Sequence, residues 1–243
     1  MGFSPLRVYA GGAPLLYRQH IADTVKRIDG MEAPVFSDRG RLYTASADPG
    51  GRVYGERLVS VGGIEYREWS PRRSKLAAYI AKGGRSVPIR EGSTVLYLGA
   101  SSGTTASHIS DIVGDGRVHC IEFAPRMFRD LVRTCERRPN MIPMIADAAS
   151  PSEYRFAVGE VDVVYADVAQ KNQADIVADN MEMFGASRGM LAVKARSEDI
   201  TADPRDVFRA AEARLRERGF RIIDRQDLDP FEDSHRMIVF GGD

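Results

Sequence analysis

The stretch TVLYLGASSGTTASHIS, residues 94–110, decides the fold class of this chain. Its apolar run ends at Gly99, and after Gly103 a pair of threonines opens a segment with the composition of a helix. A strand that passes through a glycine turn into a helix start is the unit that builds ligand sites at the carboxyl ends of doubly wound sheets. The stretch therefore predicts a ligand-binding turn, and the rest of the sequence has to indicate which ligand.

The chain from Ser70 onward alternates predicted strands and helices. A helix with Pro71 in its first turn opens this region, and a long helix from Asp203-Pro204 to Gly219 lies near its end. Such alternation predicts a mostly parallel, Rossmann-like sheet with helices on both faces. Only a short loop separates the last two strands, so we expect the C-terminal strand to run antiparallel.

The N-terminal part has a different rhythm. Short extended pieces, including residues 6–10 and 13–19, are separated by turn clusters such as SDRG (37–40) and DPGG (48–51), with a short helix expected around residues 22–28. We predict a small antiparallel β-hairpin domain over residues 1–69 and a second domain over residues 70–243. No cluster of titratable residues in the first domain suggests chemistry.

Composition excludes several classes of protein. Hydrophobic residues make up 43% of the 243, and no apolar run approaches the roughly 20 residues that a membrane span needs. The N-terminus lacks the features of a signal peptide. Two cysteines without CxxC spacing argue against a zinc site or a disulfide framework, so we expect no metal and a cytoplasmic location.

The formal net charge is zero, with 34 basic and 34 acidic residues, which argues against non-specific binding of polyanions by the whole molecule. The charge is unevenly distributed, however, since residues 71–90 carry six basic residues and no acid. This run is either a solvated helix face or a local groove for phosphates. Charge alone favours the solvated face.

The letters of the glycine turn discriminate between nucleotide ligands. A phosphate loop needs Gly-Lys followed by Ser or Thr, which is absent here. A dinucleotide fingerprint has a middle glycine so that the backbone can approach a pyrophosphate, and Ser101 stands in that place. The turn therefore favours a ligand without a pyrophosphate.

Acidic residues follow successive predicted strands. Glu122 stands where an acid binds ribose hydroxyls, Phe123 beside it offers a face for adenine, and Asp147 with Ala148 stands near an exocyclic amine. Asp167 ends the next strand, over the centre of the cleft. Each acid alone could be a helix N-cap. Together they fit a nucleoside that carries a cationic group, which indicates S-adenosyl-L-methionine.

Five long segments in the same order resemble the fibrillarin family in its archaeal form. The resemblance runs from about residue 52 to the C-terminus, and it implies a class I S-adenosylmethionine-dependent methyltransferase fold with a seven-stranded sheet. It also implies the activity of an RNA-guided 2′-O-methyltransferase that acts on ribose in rRNA, and on tRNA as well. The segments are YREWSPRRSKLAAYI (66–80), VLYLGASSGTTASHISDIVG (95–114), YADVAQKNQ (165–173), AVKARS (192–197) and DPFEDSHRMIVF (229–240).

The resemblance carries over a Lys-Asp-Lys-His constellation, which falls on Lys75, Asp167, Lys194 and His235. In chemical terms, two ammonium groups stabilise a developing alkoxide, and an aspartate holds them in place. Which residue accepts the proton stays open. Together with the turn and the strand ends, the resemblance predicts a set of cofactor-binding residues: Gly99, Ala100, Ser102, Thr104, Thr105, Glu122, Phe123, Asp147, Ala148, Asp167 and Gln170.

The resemblance also implies partners. Family members work in a box C/D particle with a coiled-coil scaffold protein, a kink-turn-binding protein, a guide RNA and the target RNA. We expect Arg72 and Arg73, beside Lys75, to contact the target backbone. The alternatives are a methyltransferase for small molecules, a non-catalytic scaffold and, further behind, a dehydrogenase. His108 and His119 have no partners of note in the sequence and are given no role.

Overall fold

A computed structural model describes residues 25–242 of the chain. Its first sheet is antiparallel throughout, with the order β1-β2-β3-β5-β4, which confirms the antiparallel N-terminal sheet. Two of the predicted strands, residues 6–10 and 13–19, lie outside the described residues. The strands are β1 (Lys26–Arg27), β2 (Phe36–Asp38), β3 (Arg41–Ala45), β4 (Leu58–Val61) and β5 (Ile64–Trp69).

The helix expected around residues 22–28 is wrong over its described part. Lys26 and Arg27 form β1 and pair with Ser37 and Phe36 of β2. A single helical turn is only marginally stable, so the pairing offered by the neighbouring strand decides the conformation of Lys26 and Arg27.

The second sheet has seven strands in the order β11-β12-β10-β9-β6-β7-β8. All its pairings are parallel except those of β12, which runs antiparallel to both neighbours. The predicted fold class is thereby confirmed. Its strands are β6 (Thr94–Leu98), β7 (Arg117–Glu122), β8 (Met141–Ile145), β9 (Val163–Ala166), β10 (Arg188–Lys194), β11 (Arg221–Asp227) and β12 (His235–Gly241).

Helices connect the strands of this sheet. The predicted start at Asp203 is correct, because its side chain accepts a hydrogen bond from the Arg205 amide and Pro204 occupies the first helical position. They are α1 (Lys75–Ala81), α2 (Thr104–Val113), α3 (Pro125–Cys135), α4 (Gln173–Phe184), α5 (Ala195–Glu198) and α6 (Pro204–Glu217), with a 3₁₀ turn at Pro151–Glu153.

Helix α1 begins later than predicted. Pro71 lies in a turn, and Ser74 is the N-cap, with its hydroxyl accepting a hydrogen bond from the Ala77 amide. A serine that satisfies a free amide of the first turn is a stronger start signal than a proline three residues earlier. The later start makes Lys75 the first residue of the helix, close to the sheet edge.

Side chains alternate between the two faces of the large sheet. On β6, Val95 and Tyr97 join the core that contains α1, α2 and Trp69 of the first sheet, whereas Leu96 and Leu98 join the core under α4 and α6. The small sheet thus shares a hydrophobic core with one face of the large sheet. Within residues 25–242, none of the helices has the length and apolar character required to cross a membrane.

A buried ionic cluster joins the first sheet to helix α2. Arg67 on β5 is fully buried, and its guanidinium bonds Glu56 at 2.9 Å and Asp111 on α2 at 2.7 Å. Arg138 also donates to Asp111, at 2.7 Å. Arg67 is paired with both Glu56 and Asp111, which is typical of a structural role, so this cluster does not contradict the expectation that titratable residues of the N-terminal part carry no chemistry.

His108 belongs to the same region and has clear partners, contrary to the sequence-based interpretation. Its Nδ1 lies 2.8 Å from the Thr44 hydroxyl and its Nε2 2.8 Å from the Tyr54 hydroxyl. The ring also stacks on Trp69, with centroids 4.9 Å apart. Since Thr44 and Tyr54 belong to the N-terminal part, His108 links α2 to that part of the chain.

Candidate active site

The strand order creates a cleft at the carboxyl edge of the large sheet. Strand β6 lies between β7 and β9, so chain connections leave it in opposite directions, and ligands bind at such a reversal. The ends of β6, β7, β9 and β10 carry Gly99, Glu122, Asp167 and Lys194 to this edge.

The turn after β6 requires glycine for a steric reason. Gly99 has φ +78°, and a β-carbon there would lie 2.7 Å from the carbonyl oxygen of Asp167. The amides of Gly99 and Ala100 both donate to the carbonyl of Ile121, at 2.9 and 3.0 Å. The turn is therefore fixed against the ends of both neighbouring strands before any ligand binds.

A cleft of about 360 Å³ opens beside this turn. Six of the predicted cofactor-binding residues line it, which are Gly99, Glu122, Phe123, Ala148, Asp167 and Gln170. Lys194 also lines the cleft, so the predicted cofactor site and part of the predicted catalytic constellation share one space.

Glu122 supports the floor of this cleft. Its two carboxylate oxygens accept hydrogen bonds from the amides of Ser101 and Ala124, both at 2.7 Å. Each carboxylate oxygen has a second acceptor position, so the residue can still bind ribose hydroxyls. Phe123 is 67% exposed, which leaves a ring face available at the mouth of the cleft.

Asp147 acts on the cleft through Gln170. Its Oδ1 accepts hydrogen bonds from Gln170 Nε2 at 2.7 Å and from the Ala149 amide at 2.9 Å. Asp147 does not itself line the cleft. Its hydrogen bond holds the side chain of Gln170, which does.

The remaining predicted cofactor residues lie around the turn without lining the cleft. Ala100 is buried, and Thr104 starts α2. Thr105 is also buried and donates its hydroxyl to Ser74 Oγ at 3.0 Å, which ties α2 to the N-cap of α1. Ser102 faces a separate cleft lined by Arg133 and Arg137.

Asp167 lies between two lysines. The ammonium group of Lys75 is 3.1 Å from both carboxylate oxygens of Asp167. The ammonium group of Lys194 is 2.9 Å from Oδ1 and donates to the carbonyl oxygen of the same residue at 2.8 Å. The three side chains are only 13–19% exposed, so solvent screens these charges weakly.

His235 is next to Lys194 in the sheet, because the two residues are paired in register across β10 and β12. Its Nδ1 lies 2.7 Å from the carbonyl oxygen of Asp233, and since a carbonyl only accepts, Nδ1 carries the proton. Burial lowers the pKa of His235 below 6.5, against the opposing effect of this hydrogen bond, and the charge of Lys75 lowers it further. At neutral pH the free Nε2 is therefore a hydrogen-bond acceptor.

The two arginines predicted to bind RNA are exposed on the turn that precedes Lys75. The guanidinium carbon of Arg73 lies 5.8 Å from the centroid of the Tyr54 ring. The position of Arg73 is thus linked to Tyr54, in the segment between β3 and β4.

The sequence-based interpretation did not assign several residues that line the cleft to the cofactor site. They directly follow strand ends or belong to the first turns of helices, and this position was the signal that could have identified them. They are Ser101, Ala124, Met127, Val168 and Ala169. Within residues 25–242, no three His, Cys, Asp or Glu side chains form a group that could hold a metal ion.

Comparisons with known proteins identify one family. The Fibrillarin family model matches residues 24–242. A fibrillarin-like rRNA/tRNA 2′-O-methyltransferase of Methanothermobacter thermautotrophicus is 50% identical over 217 residues, which cover 88% of this chain and 96% of the relative.

Two solved structures have the same fold. Aeropyrum pernix fibrillarin with natively bound S-adenosyl-L-methionine matches with a TM-score of 0.81 and 44% identity, over 89% of this chain and 97% of that one. A fibrillarin/Nop5p complex matches with a TM-score of 0.81 and 39% identity, over 89% of this chain and 100% of that one.

Proposed function

The chain belongs to the fibrillarin family, and we propose that it is an RNA-guided ribose 2′-O-methyltransferase that modifies rRNA and tRNA. The observation that carries this proposal is the ion-paired arrangement of Lys75, Asp167 and Lys194 at the edge of the cleft. A ribose hydroxyl is a poor nucleophile until its developing negative charge is stabilised. Two adjacent ammonium groups in a weakly solvated site provide that stabilisation.

Each member of the constellation has a defined part in this proposal. Asp167 holds both lysines by ion pairs, and its carboxylate can also accept a hydrogen bond from the hydroxyl. Lys75 and Lys194 then stabilise the charge that develops on the oxygen as its proton leaves. His235 offers the lone pair of Nε2 as an acceptor that orients the ribose. The main work of the site is to align the hydroxyl with the methyl group that it attacks.

The residues of the cleft fit S-adenosyl-L-methionine. Glu122 would bind the ribose hydroxyls, Phe123 would stack on the adenine, and Gln170 with Asp147 would face the base or the amino acid part. The absence of a middle glycine, at Ser101, agrees with a ligand that has no pyrophosphate. The bound cofactor would supply a methyl group already activated on a sulfonium.

The proposal includes partners, because the net charge of zero makes the chain a weak RNA binder by itself. A scaffold protein related to Nop5p is supported by the fibrillarin/Nop5p complex. A kink-turn-binding protein and a box C/D guide RNA complete the proposed particle, in which pairing between guide and target selects the nucleotide. Arg72 and Arg73 would contact the target backbone at the entrance to the cleft.

The decisive experiment is methyl transfer from labelled S-adenosyl-L-methionine to a target RNA. Wild type and Asp167→Ala are compared in the assembled particle and as protein alone. We expect label at a single paired 2′-hydroxyl in the wild-type particle, and a loss of roughly 100-fold or more in the variant, because both lysines lose their partner. Asp206→Ala, which removes an exposed acid on α6, is the matched control and should retain the wild-type rate.

Other outcomes identify the alternatives. Cofactor binding without transfer in any assembly would contradict the proposal and indicate a scaffold that has lost turnover. Transfer by the protein alone to catechol-like or amine compounds would indicate a methyltransferase for small molecules. Label spread over unpaired positions would show that the guide RNA does not select the site.

Two further parts of the proposal concern organisation and location. We propose that residues 1–69 and 70–243 are two domains that share a hydrophobic core, supported by the change from an antiparallel to a mostly parallel sheet at Ser70. Limited proteolysis around residues 70–74 would test this division. Cys120 and Cys135 are buried and unpaired, which fits the reducing cytoplasm.

A further inference from the structure

Gln173, the first residue of α4, is fully buried and uses its amide group on the backbone of Lys194. Its Nε2 donates to the Lys194 carbonyl at 3.1 Å, and its Oε1 accepts from the Lys194 amide at 2.9 Å. We propose that Gln173 is a positioning residue that fixes Lys194 against Asp167. This inference rests on the proposed methyl transfer and adds to it a residue that does not touch the reacting atoms.

The position of Lys194 explains why such a residue is needed. The parallel pairing of β10 with β9 ends at Leu191 and Ala166, three residues before Lys194. Asp167 is the first residue after β9, and it lines the cleft. Beyond the last pair, the backbone of β10 is held by β12 on one side only, and on the side that β9 has left the amide of Gln173 provides the hydrogen bonds.

Gln173 is itself fixed by a carboxylate. Glu198, at the end of α5, accepts hydrogen bonds from the Asn172 amide at 2.9 Å and from the Gln173 amide at 2.6 Å. It thereby caps α4 at an end where backbone amides need acceptors. Because α5 follows Lys194 directly, Gln173 is hydrogen-bonded to both ends of the segment 194–198: its side chain bonds the Lys194 backbone, and its amide bonds the Glu198 carboxylate. We call this segment and Gln173 a closed unit.

This unit determines where the Lys194 ammonium group can reach. The side chain of lysine has four rotatable bonds, and here its end must stay within 2.9 Å of the Asp167 carboxylate. A fixed backbone at Lys194 prevents backbone movement from displacing the ammonium group. Misplacing a reacting or stabilising group by about 1 Å can cost about 100-fold in rate, so small shifts of this backbone matter.

A purely structural role for Gln173 predicts a different result from a positioning role. In the structural case, its loss lowers the stability of the fold, and the rate falls no more than in any variant of equal stability. In the positioning case, the rate of transfer falls while cofactor affinity is retained, because the turn at Gly99 and the acid at Glu122 do not depend on Gln173. Val177 provides the comparison, since it is fully buried one turn further along α4.

The experiment compares wild type, Gln173→Met and Val177→Ala in the assembled particle. Methionine has a similar length and cannot bond the Lys194 backbone. We expect the single-turnover rate to fall about 10- to 100-fold in Gln173→Met, with affinities for S-adenosyl-L-methionine and target RNA within about threefold of wild type. Val177→Ala should lower the melting temperature and leave the rate near that of wild type. A rate in Gln173→Met equal to that of Val177→Ala would overturn the inference.

A second variant makes the donated hydrogen bond visible in the pH profile. Gln173→Glu keeps the acceptor for the Lys194 amide, and it donates to the Lys194 carbonyl only while protonated. We expect its rate, relative to wild type at the same pH, to fall toward that of Gln173→Met as the pH rises from 6 to 8. A wild-type rate at pH 8, with the introduced carboxyl group ionised as judged by infrared spectroscopy, would contradict the positioning role.

Hydrogen exchange separates this inference from the proposed function. If the wild-type particle transfers no methyl group, the proposed function fails. The hydrogen bonds can still be tested, because the Lys194 amide should then exchange at least tenfold faster in Gln173→Met than in Val177→Ala. Equal exchange in both variants would overturn the anchoring of Lys194 whatever the activity.

Discussion

Gly99 and Asp167 are in contact through their backbones: a β-carbon at Gly99 would lie 2.7 Å from the carbonyl oxygen of Asp167. That same carbonyl accepts a hydrogen bond from the Lys194 ammonium group at 2.8 Å. The turn that faces the cofactor cleft and the acid that holds the two lysines are therefore one rigid unit. A change at Gly99 is expected to alter both binding and chemistry.

Gly99→Ala tests this contact. A positive φ costs a residue with a β-carbon about 1–2 kcal/mol, and the contact with the Asp167 carbonyl adds a clash. We expect lower stability, at least tenfold weaker binding of S-adenosyl-L-methionine, and a further loss of methyl transfer at saturating cofactor. Calorimetric titration and single-turnover assays measure these effects.

Gly92→Ala is the matched control for that variant. Gly92 has φ +79°, nearly the value at Gly99, and a β-carbon at this position would have no neighbour within 4 Å. It should show the cost of the positive φ alone, with cofactor affinity unchanged. Equal losses of affinity in both variants would mean that the contact between Gly99 and Asp167 has no role.

The sequence alone was sufficient for the large sheet and for the elements that reach its carboxyl edge. The apolar run before Gly99, the acids after successive strands and the start at Asp203 are local signals, and each specifies its own element. Local signals failed where two compete within a few residues, as at the start of α1. There the hydroxyl of Ser74 accepts a hydrogen bond from the Ala77 amide and stabilises the helix start, whereas Pro71 is merely compatible with a first helical turn.

Contacts between distant segments could not be predicted in this way. The pairing of Arg67 with Asp111 joins residues 44 positions apart, and that of Gln173 with Lys194 joins residues 21 apart. None of these four residues stands out in the sequence, because its role depends on its burial and on the distant residue to which it is hydrogen-bonded. The lysines around Asp167 became visible only through a family resemblance, since a lysine at a strand end is usually solvated.

Glu122 is predicted to determine cofactor affinity more than turnover. Glu122→Gln removes the charge and turns an amide NH₂ toward one of the two backbone amides that now donate to the carboxylate. We expect about tenfold weaker binding of S-adenosyl-L-methionine, from the loss of charged hydrogen bonds worth roughly 1.5–3 kcal/mol each. Titration of the chain alone measures this effect, with Glu91→Gln, at an exposed acid, as the control. Unchanged affinity would remove Glu122 from the cofactor site.

Arg72 and Arg73 are predicted to act on RNA and not on the cofactor. Replacing both with glutamate reverses two charges beside Lys75 and should cut modification by the assembled particle, most strongly at low salt. The slope of RNA affinity against salt concentration should fall by about one for each lost phosphate contact. Arg205→Glu with Arg209→Glu, a double reversal on exposed residues of α6, is the control. Unchanged modification in the first pair would contradict their role.

His108 is predicted to make the fold sensitive to acid. Burial, assisted by the charges of Arg67 and Arg138, lowers the pKa of His108 well below 6.5 in the folded chain. Below pH 6.5 the unfolded chain therefore binds a proton that the folded chain does not. The free energy of unfolding should decrease as the pH falls from 6.5, by up to about 1.4 kcal/mol per pH unit from this group. The lowered pKa values of His119 and His235 act in the same direction.

Urea unfolding of wild type and His108→Gln between pH 8.0 and 5.5 isolates the contribution of His108. Glutamine cannot titrate, so the variant should be less stable at pH 8.0 because it loses bonds to Thr44 and Tyr54. Its stability should then fall less steeply than that of wild type below pH 6.5, while the two slopes coincide above pH 7.5. Parallel curves over the whole range would mean that His108 binds a proton equally well in both states. Its partners would then have to stabilise an imidazolium ion, despite the two buried guanidinium groups beside it.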